Sequence, residues 1–146
     1  MKEKALNLLG LMRKANAVQI GEENTGASVR AGTSKLLLLA SDASDNAVRR
    51  AKGFVYGRNI PLISTPFMKE EISASVGKPG CSMLAVCDLG FADSFMKLLQ
   101  AISPDIYDET ARIISDGLAR EKQRRRENRA HENNKRIGKR RNNALV

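Results

Sequence analysis

The chain has 146 residues, two cysteines, one histidine and a net charge of +9. That length fits one domain with an appendage, and the longest apolar runs, such as Leu36–Ala40, are far too short to cross a membrane. No secretory pattern is read at the start, so a soluble, cytoplasmic protein without a membrane partner is expected. Cys81 and Cys87 match neither a zinc spacing nor a disulfide framework, and neither a metal nor a cofactor is expected.

Ala5, Leu8, Leu9 and Met12 fall at helical spacing and predict a first helix over 2–14. A short strand follows at 17–20 and stops at Gly21. Two glutamates in the first turn of the next segment complement a helix dipole, and this second helix is expected over 22–31, with Gly26 inside it costing about 1 kcal/mol relative to Ala. Gly32 ends it.

Leu36, Leu37, Leu38, Leu39 and Ala40 then form an apolar run with no polar alternation. Such a run marks a strand covered on both faces. Burying four leucines contributes roughly 6–12 kcal/mol, so the segment belongs in the middle of a sheet. Ser41, Asp42 and Ser44 are turn and cap formers, and Ala47, Val48, Ala51 and Val55 recur at helical spacing, which places a third helix over 44–57.

The next strand is expected over 60–64, with Pro61 at its start. Thr65-Pro66 reads as a cap and first residue of a fourth helix whose inner face carries Met68, Ile72 and Val76. The Gly77–Gly80 stretch breaks that helix. Ser82–Cys87 is the last strand, and Asp88 opens a fifth helix with Phe91, Phe95, Leu98, Leu99 and Ile102 at helical spacing. Cys87 is expected as a small core residue and Cys81 as an exposed thiol in a glycine-rich loop.

Ser103-Pro104-Asp105 starts a sixth helix, whose apolar stripe is read as Ile106, Ile113, Ile114 and Leu118. After Leu118 the stripe vanishes. Too few apolar residues follow to repay ordering, so 120–146 is expected to be a largely disordered tail, with nascent helix to about Ala130. The expected fold is a three-layer α/β/α sandwich around a small mixed four-stranded sheet, spanning 1–103, with an appended helix at 104–119.

The charge is concentrated. Residues 120–146 hold eleven Lys or Arg against three acids, a net of +8, whereas the first 119 residues are within one charge of neutrality. A near-neutral domain with a basic arm points to nucleic acid. Eight of the eleven cations are Arg, whose planar guanidinium suits phosphate; Arg120, Arg124, Arg125, Arg126 and Arg129 are therefore candidate phosphate contacts.

Catalytic constellations are missing. His131 lies in the tail without a fixed neighbour, and no nucleophile-elbow, phosphate-loop or dinucleotide motif occurs. The pairs Glu22-Glu23 and Glu70-Glu71 are adjacent on helices and point in different directions, so no two-carboxylate site is expected. Three loops carry recognition chemistry instead: Gly21-Glu22-Glu23-Asn24, the turn at Ser41-Asp42, and Val76-Gly77-Lys78-Pro79. Glycines let a backbone approach closely, helix starts offer amides, and Glu and Asn meet base edges exposed in irregular RNA.

The run LNLLGLMRKANAVQIGEEN, with LLLLASDAS, NIPLI, SVGKP and AVCDLGFA after it, resembles the small bacterial members of the kink-turn-binding ribosomal-protein family named for ribosomal proteins L-seven-Ae and L-thirty-e. The resemblance covers residues 4 to about 99. It implies an α/β/α fold and an RNA grip by the three loops just named, in ribosomal or other structured RNA. Glu23 and Asn24 stand where that family usually has an Asn-Glu pair, Ala27 stands at a usual Lys, Ser41 at a usual acid, and Ser73 at a usual Gly.

The functional expectation is a division of labour in which the tail supplies affinity and the loops supply preference. A protein-interaction module is the rival, with the sixth helix, Phe91 and Phe95 as a dimer or partner face. An accessory domain of an RNA-modifying enzyme is a third class, although no cofactor-binding domain follows.

Overall fold

The computed structural model describes residues 1–144. Helices α1 (Lys2–Lys14), α2 (Glu22–Ala31), α3 (Asp45–Val55), α4 (Lys69–Val76), α5 (Leu89–Ile102) and α6 (Pro104–Ala144) alternate through α5 with strands β1 (Val18–Ile20), β2 (Leu36–Leu39), β3 (Leu62–Ser64) and β4 (Met83–Val86). The strands form one sheet in the order β1-β4-β2-β3. β2 pairs parallel with β3, and β4 lies antiparallel to both β1 and β2.

The four leucines explain the layering. Successive side chains of a strand point to opposite faces, so Leu36 and Leu38 pack into the core shared with α1, α4, α5 and α6. Leu37 and Leu39 face the other way, into two smaller clusters with Val29 of α2 and Ala51 of α3. All four are buried. The three-layer α/β/α expectation therefore holds.

Several local expectations are corrected. Thr65-Pro66 does not open a helix; α4 starts at Lys69, behind Met68. The Thr65 hydroxyl instead donates to the Leu39 carbonyl at 2.8 Å, stapling β3 to β2, and this lets Phe67 enter the core edge-on to Phe95 with ring centroids 6.4 Å apart. Met68 is exposed rather than on the inner face.

On α6 the inward stripe is Tyr107, Ala111 and Ile114, with Leu118 half-buried, while Ile106 and Ile113 face outward. Tyr107 sets the register, because its hydroxyl donates to the Ser64 carbonyl at 2.7 Å; Ile106 then falls about 100° round the helix from the core. The cysteines are reversed as well: Cys81 is buried and Cys87 is half-exposed beside the Ser28 hydroxyl. Cys81 is held down by the bond from its amide to the Ser73 hydroxyl at 3.0 Å.

Gly26 has a tertiary reason. A side chain there would meet the Phe54 ring at 2.9 Å, so the glycine lets α3 lie against α2, and the helix forms despite its intrinsic cost. α6 is one continuous helix past residue 119 and past Ala130, although none of the residues 122–137 is even half-buried. Leu145 and Val146, the end of the expected tail, lie outside the described residues.

Candidate nucleic-acid interface

Because β1, β2 and β3 run one way and β4 the other, four chain connections share one end of the sheet. Gly21 leaves β1, Ser41-Asp42 leaves β2, Thr65 leaves β3, and Ser82 enters β4. Hydrogen bonds tie them together: the Gly21 amide donates to the Met83 carbonyl at 3.0 Å, Ala40 to Ser82 at 2.9 Å, and Ser41 to Phe67 at 2.8 Å. The three loops singled out from the sequence thus meet at one end, hereafter the loop end.

Their side chains divide into exposed and occupied groups. Glu23, Gly77, Lys78 and Pro79 are exposed. The Asn24 amide donates to the Ile20 carbonyl at 2.9 Å, bracing the start of α2. One Asp42 carboxylate oxygen accepts the Lys69 amide at 2.8 Å and so caps α4. Glu22 is paired with Arg50 of α3 at 3.0 Å. Val76 is buried, and its carbonyl accepts from Arg13, so it supports the loop from beneath.

Ser73, which stands at the family's usual Gly, anchors the third loop: its carbonyl accepts the Gly77 and Lys78 amides, and its hydroxyl accepts that of Cys81. Gly77 adopts φ +71°, the left-handed region that suits a helix stop. Burial pushes the Cys81 thiol above its usual range, countered by contact with the Gly21 backbone and by the nearby Lys78 charge. The sulfur itself points to the Met83 carbonyl, 3.6 Å away at the start of β4. At the edge of this end, the Lys2 ammonium and then the Met68 amide hold the Glu71 carboxyl below its usual range.

A groove beside the loop end was not read from the sequence. Glu22, Glu23, Asn24, Gly26, Ala27, Arg30, Arg50 and Phe54 line it, between α2 and α3. Ala27 leaves space where the family resemblance places a Lys, and Arg30 and Arg50 bring positive charge to its rim. The Arg49-Arg50 pair on α3 and Arg30, one turn after Ala27, were the available signals.

The basic tail does not join this surface. α5 runs from Asp88 back to the loop end, where Tyr107 of α6 bonds Ser64; α6 then returns along the molecule. Arg120 and Arg124 emerge beside Ser34, Lys35, Asn59 and Pro61, which precede β2 and β3. At 1.5 Å per residue, Arg120 stands about 20 Å along the helix from Tyr107. Arg125, Arg126 and Arg129 are exposed farther out. The loops and the arm thus occupy opposite ends, not one face. Among the described residues no group of His, Cys, Asp or Glu could hold a metal.

No family model matches the chain. Over 99 residues it is 32% identical to RNA-binding protein YlxQ of Enterococcus faecium, covering 68% of this chain and 94% of that one. The chain belongs to the YlxQ family. A second YlxQ, from Bacillus subtilis strain 168, is 33% identical over 96 residues, covering 63% of this chain and 91% of the relative. Among solved structures, a protein of unknown function from Bacillus halodurans C superposes with a TM-score of 0.61 at 27% identity, over 66% of this chain and 97% of that one. A Giardia lamblia 15.5kD RNA binding protein shares the fold at a TM-score of 0.55 and 15% identity, over 66% and 84%. About a third of this chain lies outside each of these matches, which take in nearly the full length of the YlxQ relatives.

Proposed function

We propose that this chain is a non-catalytic RNA-binding protein that recognises structured RNA, of kink-turn or ribosomal type, at the loop end. The observation that carries this reading is the meeting of Gly21–Asn24, Ser41-Asp42 and Gly77–Pro79 at one end of a rigid sheet. Glu23 and Lys78 stand there free to meet bases and phosphate, while Asn24 and Asp42 hold the loops in shape. Both YlxQ relatives are RNA-binding proteins, which supports carrying RNA binding to this chain.

The arm supplies phosphate contacts. If about six of its cations touch irregular RNA, the salt slope is about −4, and raising salt from 50 to 200 mM weakens binding roughly 250-fold. The loop-bearing domain, near neutrality, has no comparable electrostatic reserve.

Fluorescence anisotropy with a kinked and a straight RNA duplex tests the reading. Replacing Glu23 and Asn24 by Ala is expected to abolish preference for the kinked form while the domain stays folded. Unchanged preference means the loops are only turns.

The rival reading, a protein-interaction module, has one observation in its favour. Ile106 and Ile113, two turns apart on α6, are both exposed. Phe95, by contrast, is wholly buried and unavailable to a partner. A concentration-dependent change in mass by light scattering, lost in Ile106→Ser with Ile113→Ser, would favour that reading.

A further inference from the structure

We propose that the end opposite the loops carries a second RNA-phosphate site, so that one molecule holds two RNA segments at once. The proposal rests on the RNA-binding reading above and adds a site and a geometry to it. The site is a pocket at the far end of the sheet, walled by Lys35 and Asn59 from the connections into β2 and β3, and by Arg120 and Arg124 from α6.

Three cations converge there from two separate parts of the chain. Arg120 and Arg124 are one turn apart and share a helix face. Glu121, the acid at the pocket, is engaged by Arg125 in an i, i+4 pair. Among the described residues, Lys35, Arg120 and Arg124 are in no ion pair. Cations left unpaired around a concave surface, with Asn59 as a further hydrogen-bond donor, suit the oxygens of a phosphate backbone.

The geometry makes the site independent of the loop end. α6 begins at the loop end, where Tyr107 bonds Ser64, and reaches the pocket about 20 Å later. From Arg120 onward it points farther away, and its remaining residues to Ala144 continue as helix for about another 36 Å. A short RNA seated on Glu23 and Lys78 cannot also lie along the arm. The arm and its pocket therefore extend a second cationic track, and its occupant is RNA backbone, because guanidinium forks suit phosphate and the relatives that support the reading above are RNA-binding proteins; an acidic protein, whose carboxylates fit the same forks, is the alternative that the test excludes.

The test uses the full chain and two RNAs, a kinked hairpin fixed to beads and a short fluorescent single strand. Wild type is expected to bind the hairpin and capture the single strand. Lys35→Gln with Arg120→Gln and Arg124→Gln is expected to keep hairpin binding and weaken capture, its salt slope for the single strand falling by about 2, or about 100-fold for each tenfold change in salt. Arg124→Gln alone is expected to lose about a third of that slope. Displacement of the hairpin by the single strand, or capture unchanged in the triple variant, overturns the proposal. An acidic peptide captured in place of the single strand overturns it too. Failure of wild type to bind either RNA overturns the RNA reading itself.

Discussion

The two halves of α6 share one backbone conformation and differ in nearly everything else. Pro104–Leu118 lies on α5, buries Tyr107, Ala111 and Ile114, and is fixed in register by the Tyr107 hydroxyl. Residues 122–137 are exposed all round and are supported by side-chain pairs such as Arg125 with Glu121. The first half is helix because of tertiary burial. The second is helix through local interactions worth ~0.2–0.5 kcal/mol per pair, which is the regime in which charge, not packing, governs behaviour. One element therefore serves as part of the core at one end and as a cationic track at the other.

The comparison breaks first where burial is greatest. Phe95→Ala, emptying the contact with Phe67 beneath the α5–α6 layer, is expected to destabilise the domain by about 3–5 kcal/mol in urea unfolding. Deleting residues 120–146 is expected to weaken binding of single-stranded RNA at least tenfold at moderate salt, roughly 1.4 kcal/mol or more, and to leave the thermal transition almost unchanged. A large fall in Tm would mean that the arm contributes to the core after all.

A loss of similar size, in stability rather than in binding, is expected from Gly77→Ala. Its left-handed φ costs an L side chain about 1–2 kcal/mol, with a matching fall in urea midpoint. Cys81 provides a pH test within the packed region. Its folded pKa is raised by burial, so the folded state keeps the proton longer than the unfolded chain does. That contribution is complete below the unfolded thiol pKa, about 8.5, and is lost as pH rises through the folded value. Unfolding followed from pH 8 to 10 should show stability falling, and less so in Cys81→Ala. The least effect is expected from Glu121→Gln, which removes one exposed i, i+4 pair: far-UV circular dichroism should register a small loss of helix, with the urea midpoint unmoved.

Much of the fold could be read from single residues. The four-leucine run announced a strand buried on both faces, and its alternate leucines do enter separate cores. Gly32 and Asp88 marked helix limits that the backbone respects, Gly32 in the left-handed region and Asp88 accepting the Phe91 amide at 3.0 Å. Thr65-Pro66 misled because a hydroxyl that can cap a helix can equally bond a neighbouring strand, and only the parallel pairing of β2 with β3 brought the Leu39 carbonyl within reach. Ile106 misled because α6 offered several apolar residues, and the bond from Tyr107 to Ser64 decided which face turned inward.

For the candidate site, local chemistry was legible and placement was not. The sequence by itself determined which loops carry glycines and polar side chains suited to recognition and that nearly all the excess charge lies beyond residue 119, since both follow from residue type and position along the chain. Tertiary structure decided that the loops share one end, that Asn24 and Asp42 are engaged in holding them, and that the arm departs from the other end. The physical reason is that strand order and the α5–α6 hairpin fix directions in space, and those are set by long-range burial that no short stretch of chain encodes.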